Sequence, residues 1–195
     1  MVRFSTFFVS TIAAVSVSAQ SSTEAEYAIR KTSDFYTSAL DLRREVEQIN
    51  DLSCLLYTLF KTGPLARVIP VLDRITANFV ETYQTVVTFE PLNATIPADE
   101  AAGREIDGFV AKGTIESTAA FNRQTQASTL NLCTVPGLAT GIFTSLTNLK
   151  IAARPFFYEV RNFVPARAFE IERNLNFFMT AIDGAIAAAQ SVVDT

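Results

Sequence analysis

The chain has 195 residues with 16 basic and 20 acidic side chains, a net charge of −4 at pH 7, a mean hydropathy of +0.23 and no histidine. That size suits one domain. The mild acidity gives no electrostatic reason to bind nucleic acid or an anionic membrane. The lack of histidine removes Ser-His-Asp and Cys-His catalysis and most zinc or iron sites, so neither a metal nor another cofactor is expected, and an enzyme is not.

In chain order, the first element has the pattern of a cleaved secretory leader. Arg3 precedes an apolar stretch from Phe4 to Val15, and Val17-Ser18-Ala19 puts small residues at −3 and −1 of a cut before Gln20. A membrane anchor is the competing reading, but it needs about 20 apolar residues, and Ser5, Thr6, Ser10 and Thr11 interrupt this run. The expectation is a signal peptide over 1–19 and a single mature domain over 20–195. No later stretch is long and apolar enough for a transmembrane segment, and the C-terminal end lacks the tail of a lipid-anchor signal. The expected location is extracellular, including association with a cell wall.

A long amphipathic helix follows. Ala28, Thr32, Phe35, Ala39, Leu42, Val46, Ile49, Ser53, Leu56 and Phe60 recur at alternating steps of four and three, the seam of a packed helix. Gly63-Pro64 should end it. A second helix is predicted over about 65–89 through Val68, Leu72, Ile75, Phe79, Tyr83 and Val86, with Pro70 kinking it or limiting its first turn. After a linker marked by Pro91 and Pro97, a third should start near Asp99 and run through Ile106, Phe109, Phe121 and Leu130 to about Leu132, loosened by Gly103, Gly108 and Gly113. A fourth uses Leu138, Ile142, Ser145, Leu149 and Ala152 and stops before Pro155. The stretch 156–165 is read as a short helix or a bend between two prolines. The last helix carries Ala168, Ile171, Leu175, Phe178, Ile182, Ala185, Ala189 and Val192. No run alternates apolar and polar residues between turn signals. The predicted fold class is all-α, an antiparallel bundle of four to five helices.

Two cysteines, Cys54 and Cys133, are expected to form one disulfide in an oxidising compartment. It would close a loop of about 80 residues, worth ~4.5 kcal/mol in the chain-entropy model; two buried thiols are the alternative. Asn93-Ala94-Thr95 is a glycosylation sequon, expected on an exposed loop. The acidic clusters Glu100, Glu105, Asp107 and Glu170, Glu172 read as solvated helix faces.

Phenylalanine is over-supplied: 13 remain once the leader is removed, and six lie in the last forty residues. Phe177 should point about 100° away from Phe178 on helical geometry, and Phe156-Phe157-Tyr158 likewise has too many rings for one side. The rings either serve a core apolar on several sides, line an internal cavity, or form an exposed patch.

In its leader Met-Val-Arg-Phe-Ser-Thr-Phe-Phe-Val-Ser-Thr-Ile-Ala-Ala, its amphipathic opening helix, its proline-marked linker Glu90-Pro-Leu-Asn-Ala-Thr-Ile-Pro-Ala-Asp-Glu and its alanine-rich following helix, the chain resembles fungal hydrophobic surface binding protein A and the related cell wall galactomannoproteins. Cys54 and Cys133 match no signature of that family. The resemblance implies a secreted bundle that binds fatty acids, other lipids or hydrophobic surfaces, without catalytic residues. The helical seams place the expected apolar site among Leu42, Val46, Ile49, Phe109, Phe121, Leu146, Leu149, Phe178 and Ile182. The competing expectation is a secreted effector or interaction protein that meets a host or wall partner through its surface. A solid core with an exposed aromatic patch, around Phe156 to Phe163, would favour it.

Overall fold

A computed structural model describes residues 5–129, 135 and 137–193, with side chains over 22–127, 135 and 137–193. Every regular element among them is helical: α1 Ser5–Glu47, α2 Asp51–Phe60, α3 Pro64–Val86, α4 Pro97–Thr129, α5 Leu138–Phe163, a 3-10 turn Pro165–Arg167 and α6 Ala168–Val193. The all-helical expectation is met, with six helices instead of four or five.

Two predicted boundaries are corrected. The opening helix does not run through to Phe60 but breaks after Glu47. Asn50 caps a new helix: its side chain accepts from the Ser53 N–H at 3.0 Å, and its own N–H donates to Ser53 Oγ at 3.3 Å. This reciprocal pair satisfies two donors that an uncapped start leaves open, so the chain turns where the apolar periodicity alone would have continued. Ser53 is buried as the seam predicts, whereas Phe60 is exposed. Lys61 then ends α2 in the left-handed region (φ 54°), and Gly63 (φ 91°) with Pro64 starts α3.

The second correction concerns Pro155. The fourth predicted helix continues past it to Phe163, so 156–163 is neither a separate short helix nor a bend. Proline cannot donate to the carbonyl four residues back, here that of Ile151, whose side chain is exposed. The turn lies on the exposed side of α5, and the helix continues without that bond.

Five long helices form a closed ring in the order α1, α4, α6, α5, α3 and back to α1. The pairs Lys31–Glu81, Asp41–Arg74 and Glu45–Arg67 make α1 and α3 antiparallel. Tyr36–Phe109 and Arg43–Glu116 make α1 and α4 parallel. Arg161–Glu172 and Lys150–Asp183 make α5 and α6 antiparallel. The bundle is therefore of mixed direction, not uniformly antiparallel.

The centre of the ring is aromatic. Phe35 on α1 stands 4.8 Å from Phe79 on α3 and 6.1–6.4 Å from Phe156, Phe157 and Phe178. Phe79 and Phe156 stack at 4.4 Å, and Phe121 and Phe157 each lie 5.7 Å from Phe178. Phe156 and Phe157 are both buried because α5 lies between α3 and α6; Tyr158 turns outward. Tilted and edge-on contacts of this kind suit ring quadrupoles and add to burial. Gly113 lets α1 and α4 approach, since a Cβ there would come within 2.5 Å of the Phe35 ring.

Candidate functional site

The ring helices expose large apolar side chains at scattered positions, whereas α2 gathers four of them in ten residues. It touches the bundle mainly through α3, and its inner side presents Ser53, Cys54 and Tyr57. Its outer side exposes Leu52 (60%), Leu55 (52%), Leu59 (61%) and Phe60 (66%). Positions 52, 55 and 59 follow helical spacing, and Phe60 follows Leu56 by one turn, so the leucines form a continuous stripe. No charged residue stands between Asp51 and Lys61. Lys61 lies over the Tyr57 ring at 4.8 Å, placing a cation at one end of the stripe. Chemically the stripe offers only contact area: it excludes water and discriminates by shape and polarity.

Of the nine residues assigned to an inter-helix site from the seams, eight are buried: Leu42, Val46, Ile49, Phe121, Leu146, Leu149, Phe178 and Ile182. The ring brings Phe121 and Phe178 into contact. Phe109 stays apart and half-exposed, beside Tyr36 at 6.3 Å and Lys112 at 5.7 Å. The aromatic patch anticipated around Phe156 to Phe163 is corrected: Phe156, Phe157 and Phe163 are all in the core and Tyr158 alone of that stretch's rings is exposed, while the more exposed rings are Phe169 (75%) and Phe177 (59%) on α6.

A cleft of about 390 Å³, lined by none of those nine residues, is walled by Leu92, Asp99, Gly103, Val164, Pro165 and Arg167 among others. The linker before α4 is pinned there, with the Leu92 N–H donating to the Phe163 carbonyl at 2.8 Å and the Asn93 N–H to Asp99 Oδ2 at 3.1 Å. Asn93 itself is exposed, and its Oδ1 accepts from the Thr95 N–H and hydroxyl. One turn beyond the cleft, burial and the neighbouring Glu170 push the Asp107 carboxyl above the usual range, against the pull of Arg167 and Arg173.

Cys54 is not a free thiol; Cys133, its expected partner, lies outside the described residues. Among the described residues no three His, Cys, Asp or Glu side chains are grouped to hold a metal ion. No single helix among them is long and apolar enough to cross a membrane; α2 and α3 together reach the apolar content, but they meet at a bend of 83°.

The outward leucines were missed in the sequence because Ser53, Leu56 and Phe60 continue the seam of the preceding helix. The signal was present in Asn50-Asp51-Leu52-Ser53, a helix start, and in the separate stripe Leu52, Leu55, Leu59. Compared with known proteins, the chain matches no family model, no curated protein and no solved structure.

Proposed function

We propose that this is a secreted helical bundle, similar to the hydrophobic surface binding proteins, that adsorbs to lipid or other apolar surfaces through the outer face of α2. The observation that carries the reading is the set of four large apolar side chains on α2, each more than half exposed. An amphipathic helix lying in an interface buries such a stripe and keeps its polar tips in water. Tyr57 and Lys61 are the residue types that sit at such a boundary. In this reading 1–19 is removed as a signal peptide, Cys54 pairs with Cys133 and so ties α2 to the segment after α4, and Asn93 carries a glycan. Phe35, Phe79, Phe121, Phe156, Phe157 and Phe178 pack ring against ring at the axis, which supports a surface site over the fatty-acid cavity expected from the seams.

The test is adsorption of the secreted protein to neutral phosphatidylcholine vesicles and to polystyrene beads. Leu55→Ser with Leu59→Ser should abolish binding to both while leaving the melting temperature within about two degrees, because exposed substitutions rarely cost more than ~0.5 kcal/mol. Equal adsorption by the double variant would remove α2 from the account. Native mass spectrometry after lipid extraction separates the cavity reading: co-purified lipid near one per chain would return the site to the interior.

A second reading, an effector or interaction protein with a host or wall partner, draws on Phe169 and Phe177, two exposed rings on α6. Retained vesicle binding in the α2 variant, lost on Phe169→Ser and Phe177→Ser, would move attention to that helix.

A further inference from the structure

The interface between α4 and α6 contains neutral polar atoms that find no hydrogen-bond partner among the described residues, unlike the polar pairs across other helix seams. Between α1 and α3, Tyr27 Oη donates to Thr85 Oγ1 at 3.1 Å and Asn78 Nδ2 donates to the Lys31 carbonyl at 3.1 Å. Between α5 and α3, Ser145 Oγ donates to Asp73 Oδ1 at 2.7 Å.

On α4, Thr114, Phe121 and Thr125 recur at steps of seven and four and so share one face. Phe121 meets Phe178, and a Cβ at Gly184 would lie 4.0 Å from Thr125 Oγ1, so this face looks toward α6. The same two contacts make α4 and α6 parallel, with an offset near 58 residues. At that offset Asn174 falls between the levels of Thr114 and Thr118. Thr114 is 3% exposed and Asn174 8%. Thr114 Oγ1, Thr118 Oγ1 and Asn174 Nδ2 are each buried with no hydrogen-bond partner among the described residues.

Three orphan groups on facing walls are not a tolerable accident of packing, because each would forfeit the hydrogen bonds it makes to water in the unfolded chain. Their chemistry is complementary to water: two hydroxyls that donate or accept, and one amide that donates. A buried water typically makes two to four such bonds. Ala181 and Ala185, on the same side of α6 as Asn174, keep the neighbouring volume small-walled.

We propose that the α4–α6 interface is a water site, in which one or two buried water molecules bridge Thr114, Thr118 and Asn174. The bundle is thus dry and aromatic at its axis and hydrated along one seam.

The test uses the full secreted chain. A high-resolution crystal structure should show density for water within hydrogen-bond distance of Thr114 Oγ1 and Asn174 Nδ2. Thr114→Val, which keeps the shape and removes the hydroxyl, distinguishes the alternatives by sign. With water in place, valine strands both the water and the amide, and the unfolding constant should rise about five-fold. With a dry, unsatisfied seam, valine relieves a cost and the unfolding constant should fall instead, which would overturn the proposal. A rotated Asn174 amide bonded directly to a threonine hydroxyl, with no water density, would also overturn it. Should the valine variant fail to fold, magnetisation transfer from water to the Thr114 methyl in the unmodified protein decides the question: transfer supports the site, its absence refutes it.

Discussion

α2 and α6 carry comparable apolar loads and meet opposite fates. α2 is the more apolar of the two on average, yet it turns four large side chains to solvent. α6 spreads its apolar residues over a stripe wide enough to face both α4 and α5 and buries Ile171, Leu175, Phe178, Ile182 and four alanines, leaving Phe169, Phe177 and Val193 outside. The lesson is that hydrophobic content does not decide burial; the number of neighbouring helices does. α6 has two flanking helices and a shared aromatic centre, whereas α2, ten residues long, packs on α3 alone among the described helices.

The largest expected effect tests this contrast directly. Phe178→Ala should destabilise the protein by about 3–5 kcal/mol, read by denaturant unfolding, because it removes a fully buried ring from contact with four others. Leu59→Ala on α2 should cost less than about 0.5 kcal/mol. Similar losses at the two positions would mean that α2 is packed against something in solution.

Glycines on α4 sharpen the same point within one helix. Gly113→Ala should cost about 1–3 kcal/mol, because the added methyl meets the buried Phe35 ring. Gly108→Ala has nothing within 4 Å to meet and should stabilise the helix by about 0.5–1 kcal/mol. Paired melting curves check both signs.

Asn50→Ala removes the cap of α2 and should cost about 1 kcal/mol. The cost should appear as faster hydrogen exchange confined to the amides of 51–60, with the ring helices unchanged. Spread of the effect into α1 would show that α2 folds with the bundle.

The smallest effect concerns Asp107. Its folded-state pKa is raised, so the folded chain holds this proton to higher pH than the unfolded chain does. Stability should therefore fall as pH rises from the ordinary aspartate range through the raised folded value, and stay lower above it. Asp107→Asn should flatten that slope and raise the melting temperature slightly at neutral pH, as read by calorimetry between pH 3 and pH 7. An unchanged slope would put the proton on another group.

Much of the bundle was legible because a helix writes its buried face into the chain every three to four residues. Phe35, Ala39, Leu42 and Val46 on α1, and Ile171, Leu175, Phe178 and Ile182 on α6, are buried where periodicity puts them. Pro155 was misread because a proline's missing hydrogen bond is cheap when the carbonyl it abandons faces water, and facing is not visible in sequence. Phe156 and Phe157 were ambiguous for the same kind of reason: adjacent rings can both be interior only when a helix has neighbours on two sides.

By itself, the order of residues determined that the chain is helical and which stripe of each long helix is apolar, since both follow from local spacing and from turn residues such as Gly63-Pro64. Only the tertiary structure decided the ring order α1, α4, α6, α5, α3, the meeting of six phenylalanines at its axis, the exclusion of α2's leucines and the polar atoms left open between α4 and α6. Those outcomes depend on which stripe faces which, and that is chosen by non-local packing, where a close approach such as Gly113 against Phe35 selects one arrangement of the same amphipathic helices over the others.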